Sequence, residues 1–326
     1  PLCGGCGSKV APGTLAAVLA NAPSPGRKDV LSGPGDDAAI IVTGGQKQVL
    51  STDHLRAVTE DFGAMARIAA LHALGDIWAM GALPQSALVS LTLPRMSEAL
   101  QARTLQEIME AAGAAIRMAG ADIVGGHSTM GTELTIGLSL TGLLDGAPIT
   151  NADAQPGDRL ILTREIGSGT LLAAEMRGLA KGADIAALMN RLQTPQGDAA
   201  AVLLAAHAMT DVTGFGLAGH LAAICRASSV GAEIDLGLIP TFAGAEALAD
   251  QGVRSTIWQA NRDAAPVIGA TGPKAALLHD PQTAGGLLAA VPADNSAAIL
   301  KTLRKQGHDA TDIGRVIAGP PTIHAV

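Results

Sequence analysis

Thr150-Asn151-Ala152-Asp153-Ala154-Gln155-Pro156-Gly157-Asp158 is polar, loop-like and lies near the middle of the chain. Proline, glycine and acids in such a cluster end regular structure, and few contacts cross a stretch of this kind, so it reads as a domain boundary. The reading divides the chain into an opening segment, residues 1–20, an N-terminal domain, 21–152, and a C-terminal α+β domain, 153–326. At 326 residues the chain exceeds the size at which one core stops growing, which fits two domains.

Upstream of the boundary, Ala38 to Val42 and Val49 to Thr52 read as paired strands that carry Asp37 and Asp53 at their ends. A helix is predicted from about Phe62 to Met80, with His72 and Asp76 four residues apart on one face. Ser86 to Leu93 and Leu134 to Thr141 alternate as half-buried strands, and Leu100 to Met118 carries a helical stripe between them. Gly125-Gly126-His127-Ser128 reads as a turn whose backbone N–H groups are able to hold phosphate oxygens. Downstream, strands are predicted at Arg159 to Thr163 and Gly286 to Val291. Helices are predicted near Thr170 to Arg177, Gly197 to Ala208, Gly216 to Ala227, Asp263 to Gly269 and Ala293 to Gln306. The fold class is a mixed α+β chain of two domains.

Composition excludes whole classes of function. Apolar residues make up 48% and charged residues 16%, a folded rather than a disordered balance. Aromatics are 2%, tyrosine is absent and the net charge is −7, so stacking platforms and a basic footprint for nucleic acid are both lacking. Mean hydropathy is positive, yet apolar runs such as Ala199 to Ala206 fall well short of the roughly 20 residues that span a bilayer. No signal-peptide pattern opens the chain, and it lacks an initiator methionine. A cytoplasmic protein with a cut or processed N-terminus is expected.

The chemistry gathers around the opening segment and a set of aspartates. In Pro1-Leu2-Cys3-Gly4-Gly5-Cys6-Gly7-Ser8-Lys9, glycines let a thiol approach a ligand closely, and a lysine three residues on is able to hold a phosphate. The Cys3–Cys6 spacing also fits a zinc or redox pair, but zinc needs two further ligands and Cys225 is the one other cysteine. A disordered tail is the plain alternative to a loop that closes over a nucleotide. Gly33-Pro34-Gly35-Asp36-Asp37 is a glycine turn with two acids at a strand entry. With Asp53, Asp76 and Asp211 it suits Mg²⁺, which takes oxygen ligands and accompanies phosphate. His72 is either a ligand beside Asp76 or a hydrogen-bonded core histidine. There is no G-x-x-x-x-G-K-[ST] and no G-x-G-x-x-G after a strand, so phosphate is held some other way.

Gly5-Cys6-Gly7-Ser8-Lys9, Asp36-Asp37-Ala38-Ala39, Ser51-Thr52-Asp53, Ala69 to Gly81, Gly125 to Ser128, Thr210 to Leu221 and Asp280-Pro281-Gln282-Thr283-Ala284-Gly285-Gly286-Leu287 together resemble the selenophosphate synthetase (selenide, water dikinase) family over nearly the whole chain. The resemblance implies a two-domain aminoimidazole ribonucleotide synthetase-like fold, with the N-terminal domains of a homodimer building a β-barrel. It implies conversion of ATP, selenide and water to selenophosphate, AMP and phosphate, with Mg²⁺ and a K⁺ requirement. Carried over by position, Cys6 is the catalytic thiol and Lys9 the catalytic lysine near the phosphates. Asp37, Asp76 and Asp211 are metal ligands. Lys9, Pro34, Gly35, Asp36, Asp53, Asp76, Gly126, His127 and Ser128 contact the nucleotide.

Three positions depart from the family. Ser8 stands where many members have a second cysteine, His72 where asparagine is common, and His54-Leu55-Arg56 replaces an aromatic stretch. With the missing methionine these resemble the form fused behind a flavin-dependent NADH dehydrogenase-like domain, implying a fused or partner oxidoreductase. The rival readings are a thiamine-monophosphate kinase-like phosphotransferase and a non-catalytic thiol or selenium carrier.

Overall fold

Ser86 to Leu93, with its alternating pattern, is the middle of a strand that organises the N-terminal half. The computed structural model describes residues 4–21, 25–33 and 35–326, so Cys3 and Pro34 lie outside the described residues. A 3-10 turn at Gly5–Ser8 is followed by helix α1 (Pro12–Leu19), strands β1 (Ala39–Thr43) and β2 (Gln46–Arg56), and helix α2 (Phe62–Ala79). Strand β3 (Leu83–Pro94), helix α3 (Glu98–Met118) and strands β4 (Asp122–Gly131) and β5 (Thr135–Leu143) complete this half.

The five-stranded sheet has the order β1-β2-β5-β3-β4, with β4 parallel to β3 and every other pair antiparallel. On β3, Ala87, Val89, Leu91 and Leu93 face the core, whereas Leu88 and Ser90 face out. Helix α2 packs on β2, β5 and α3 and touches β7 (Ala208–Asp211) of the other half. Thirteen of its residues are buried, from Met65 through Ala79. A helix walled in on all sides has little use for a polar face, which is why its sequence shows length more clearly than a stripe. Asp61 starts it by accepting the Ala64 N–H at 2.8 Å.

The C-terminal half holds β6 (Arg159–Leu162), α4 (Ser168–Glu175), α5 (Gly182–Leu192), α6 (Gly197–Val202), β7, α7 (Gly216–Ser228), β8 (Gly231–Ile234) and α8 (Ala245–Asp250). It continues with α9 (Trp258–Ala264), β9 (Val267–Ile268), α10 (Gly272–Leu277), β10 (Leu287–Val291), α11 (Ala293–Lys305), β11 (Thr311–Ile317) and β12 (Ile323–Ala325). Its seven-stranded sheet runs β7-β10-β6-β11-β8-β12-β9. Leu287 to Val291 is apolar throughout because both faces of β10 are covered.

Three sequence expectations are corrected. The Gly125–Ser128 turn is the middle of β4, where Gly126 pairs with Val89 and a methyl group would strike the Val89 carbonyl. The helix expected over Gly197 to Ala208 ends at Val202, and its last expected residue, Ala208, opens strand β7, which Asp211 closes. An alanine-rich run carries too little periodicity to show where helix gives way to strand; pairing of β7 with β10 settles it. The helix expected over Asp263 to Gly269 is α9, which is already ending there, and Val267–Ile268 joins the sheet edge beside β12.

Candidate active site

Asp37, Asp76 and Asp211 arrive from three elements: the turn before β1, the last turn of α2, and the end of β7. One carboxylate oxygen from each lies within 4.8 Å of the others, with Asp211 buried and the other two half-buried. Asp37 Oδ2 and Asp211 Oδ1 are buried with no hydrogen-bond partner among the described residues. Desolvation and the neighbouring carboxylates push all three upward, Asp211 to about 8. Crowded acids with unsatisfied oxygens are costly on their own and suit a hard divalent cation, so the residues fit Mg²⁺. The packing is close: a methyl group on Gly75 would collide with Asp211 Oδ2 and lie 3.0 Å from its Cγ.

The aspartates are aimed by neighbours that sequence reading missed. Ser51 donates its hydroxyl proton to Asp76 Oδ2. The Thr210 hydroxyl donates to Asp37 Oδ1 at 2.9 Å, and His220 Nδ1 lies 3.1 Å from that hydroxyl. The Thr213 N–H donates to His220 Nε2 at 3.1 Å, so the ring proton sits on Nδ1 and points at Thr210. Burial holds His220 neutral, lowering it to about 3, with Lys9 adding to the effect. A relay from the C-terminal half therefore fixes a carboxylate of the N-terminal half. Thr210 and His220 lie in the quoted Thr210 to Leu221 motif, but spacing alone does not show which strand carries the partner acid.

Cys6 lies beside this cluster and is fully buried. Its N–H reaches Thr283 Oγ1 at 3.4 Å, and its sulfur lies 3.3 Å from His72 Nε2. The same nitrogen lies 2.9 Å from Asp53 Oδ2. Burial disfavours a charged His72, whereas Asp53 and Cys6 favour one, and the balance of these effects is upward. The Ala284 N–H nevertheless donates to Nδ1 at 3.2 Å, and an imidazolium would set proton against proton there. The ring is therefore placed as the Nε2–H tautomer, its one proton facing both the sulfur and the carboxylate. Ala284 directs its N–H from a left-handed backbone, φ 43°, unusual for a residue with a side chain and common at functional sites. His72 is thus a hydrogen-bonded partner of Cys6 and lies outside the aspartate triad.

Lys9 Nζ lies 3.5 Å from Asp53 Oδ1. Burial opposes its charge, but Cys6, Asp53, Asp76 and Asp211 outweigh that and raise it above its ordinary value. Against desolvation, His72 and Lys9 hold Asp53 below the usual carboxylate range. Asp36 Oδ1 accepts the Asn151 N–H at 2.8 Å, tying the acid turn to the segment between the two sheets. A cleft of about 740 Å³ opens over Lys9, Asp36, Asp37, Asp53, Asp76 and Asp211. Gly35, in a left-handed conformation with φ 148°, lies in the same turn. Gly126, His127 and Ser128 are not brought to this cleft. They are exposed on β4, the sheet edge opposite β1, with β5 and β3 between them and Asp53 on β2.

The family model for the N-terminal domain of AIR synthase related proteins matches residues 35–144, and the C-terminal domain model matches 155–325. The selenide, water dikinase of Pseudomonas straminea is 36% identical over 98% of this chain and 93% of its own length. Those of Bdellovibrio bacteriovorus and Myxococcus xanthus are also 36% identical, covering 96% and 99% of this chain and 93% and 95% of theirs. The fold is shared with tt0281 from Thermus thermophilus, with a TM-score of 0.72 at 22% identity, covering 96% of each chain. It is also shared with AaThiL complexed with AMPPCP and TMP, with a TM-score of 0.68 at 20% identity, covering 96% of this chain and 91% of that one.

Proposed function

Since the chain belongs to the selenide, water dikinase family on the AIR synthase related fold, we propose that it converts ATP, selenide and water to selenophosphate, AMP and phosphate at the cleft over Asp37, Asp76 and Asp211. The observation that carries this reading is the meeting, at one cleft, of an unsatisfied carboxylate triad and the Lys9 ammonium, with the buried Cys6–His72 pair joined to that cleft through Asp53. Asp37, Asp76 and Asp211 hold Mg²⁺, which when bound offsets phosphate charge at each transfer. Lys9, kept protonated by its acidic neighbours, faces the phosphate oxygens, and Asp53 holds it in place. Cys6 presents a sulfur to the incoming selenium, oriented by His72, Thr283 and Ala284. A thiamine-monophosphate kinase-like activity gives no role to a buried cysteine beside the phosphate site, which favours the selenide reading.

The working unit in this reading is a homodimer. Leu88, Val124 and Met130 are 49%, 64% and 52% exposed around the free edge of β4, an apolar surface suited to a second sheet. Such a pairing accounts for Gly126, His127 and Ser128 as nucleotide contacts, delivered to the cleft of the partner. The orphan oxygens at the triad leave room for K⁺ beside Mg²⁺. Among the described residues no helix is long and apolar enough to cross a membrane, in keeping with a cytoplasmic enzyme. A fused or partner oxidoreductase rests on the His54-Leu55-Arg56 departure, and the mass of the native protein tests it.

The decisive experiment is anaerobic incubation with ATP, Mg²⁺ and selenide, followed by phosphorus NMR. Selenophosphate and AMP are expected in equal amounts. ATP turned to ADP alone, or no AMP at all, overturns the assignment.

A further inference from the structure

The C-terminal half carries a second cavity, of about 550 Å³, formed by residues of α9, α10 and the segment between them. It shares no lining residue with the nucleotide cleft. Its volume is that of a small-molecule site rather than of a site for a lone ion. One wall is apolar, along Pro266, Val267, Ala270, Ala275 and Ala276, and the positive charge is gathered at Arg254 and Arg262. Their guanidinium carbons lie 4.8 and 5.6 Å from the centroid of the Trp258 ring. The ring is itself fixed, because its Nε1 donates to the Ala276 carbonyl at 2.7 Å. The indole attracts each cation, yet the two cations repel one another. Neither is paired with a carboxylate among the described residues.

The groups around the two arginines leave that charge standing. Arg254 is half-buried, and its Nη1 donates to the Ala249 and Val253 carbonyls at 2.7 Å, so the guanidinium is held by backbone and keeps its full charge. Asp263 is the acid in the lining, and its Oδ1 is occupied by Gln259 Nε2 at 2.8 Å. Asp280 favours the charge of Arg254 but is fully buried and outside the lining, where it accepts from the Thr170 hydroxyl at 2.8 Å and from Gln282 Nε2 at 3.1 Å. His279 lines the cavity while only 6% exposed, and its Nδ1 has no partner among the described residues. The lining thus holds more positive than negative charge in a chain whose net charge is −7. Paired guanidinium forks suit the oxygens of a phosphate, and the apolar wall beside them suits an organic body attached to it.

We propose that this cavity is a binding site for a small phosphate monoester, separate from the nucleotide cleft, with the phosphate held by Arg254 and Arg262 and the organic body along the wall from Pro266 to Ala276. A phosphate dianion relieves the repulsion between the two cations, which a neutral ligand leaves in place. Arg254, fixed by its carbonyls, sets the position of the phosphate, and the exposed Arg262 closes on it from the solvent side. The site stands on these residues alone and is independent of the reaction assigned to the aspartate cleft.

Tungstate, a tetrahedral dianion with an anomalous X-ray signal, is the crystallographic probe, and ribose 5-phosphate is the probe in solution. Crystals of the full chain soaked in sodium tungstate should show an anomalous peak beside Arg254 and Arg262, and crystals of Arg262→Gln should lack it. An empty wild-type cavity, or a peak that persists in the variant, overturns the site. By calorimetry the wild type should bind ribose 5-phosphate and not ribose, and Arg262→Gln should weaken the ester by about tenfold or more. Tungstate binding without ribose 5-phosphate binding, or succinate binding as tightly as the ester, overturns the ligand class. Arg262→Gln should leave the ATP KM unchanged, and a rise in that constant equal to the loss of ester affinity overturns the separation from the nucleotide cleft. Should Arg262→Gln lose the near-UV circular dichroism of the wild type, Ala270→Glu takes its place: it sets a carboxylate in the apolar wall and should abolish the tungstate peak.

Discussion

The Cys6 sulfur and His72 Nε2 lie 3.3 Å apart, and the proton on that nitrogen also faces Asp53 Oδ2 at 2.9 Å. One donor thus ties the thiol-bearing loop to the carboxylate that holds Lys9. Replacing the ring removes the donor without touching Asp37, Asp76 or Asp211 directly. His72→Leu should lower kcat by about a hundredfold with the ATP KM within about threefold, and His72→Asn, which keeps an N–H, should recover part of the loss. Alkylation of Cys6 by iodoacetamide, followed by mass spectrometry, should speed up in His72→Leu as the sulfur loses its anchor. Unchanged kcat and alkylation rates together would remove His72 from the site.

The unsatisfied oxygens of the triad predict a mutation that stabilises and disables at once. Asp211→Asn removes a buried charge that desolvation and Asp37 already oppose, so the cation-free variant should melt a few degrees above wild type, for a gain on the order of 1 kcal/mol. Wild type should gain stability from millimolar MgCl2 by mass action, and the variant should gain little. Differential scanning fluorimetry with and without MgCl2 gives both comparisons. A variant that melts below wild type without Mg²⁺ and responds to it normally would contradict the triad as a cation site.

What was legible before the structure divides along a physical line. Asp37, Asp76, Asp211, Cys6 and Lys9 each stand in a local motif; the structure puts the three aspartates and Lys9 on one cleft and leaves Cys6 buried beside it, linked through His72 and Asp53. The long helix and alternating strands of the N-terminal half follow from period alone. Thr210, His220, Thr283 and Ala284 were not read as functional, because their partners come from distant segments and hydrogen-bond geometry leaves no period in a sequence. Gly125–Ser128 misled for the opposite reason: glycines that usually mark turns are here a strand in which Gly126 passes close to the Val89 carbonyl.

The free edge of β4 leads to a prediction about assembly. Val124 is 64% exposed on that edge, with Met130 and Leu88 nearby, and lysine there would place charges against the apolar surface of a second copy. Wild type should sediment at twice the chain mass and Val124→Lys at the chain mass, with near-UV circular dichroism unchanged. If Gly126 to Ser128 serve the partner's nucleotide, ATP affinity should fall as the dimer is lost. Monomeric wild-type protein at micromolar concentration would leave those residues without a route to a cleft.

His279 supplies a stability test outside the aspartate triad. Burial, and secondarily Arg262, lowers it from 6.5 to about 4, and its Nδ1 has no partner among the described residues. Trp258 meets its ring edge-on with centroids 6.2 Å apart. The folded-state value lies below the unfolded one, so between about pH 6.5 and pH 4 the unfolded chain binds more protons than the native one. Stability from this group is therefore present above pH 6.5 and is lost as pH falls through that window. At about pH 4.5 the loss relative to about pH 7 should be about 2 kcal/mol. His279→Phe keeps a ring against Trp258 and cannot titrate, so urea unfolding at the two pH values should show a smaller acid loss than wild type by about that amount. Equal acid losses in the two proteins would mean that His279 is protonated in the native fold, and its surroundings would then have to supply an acceptor for Nδ1.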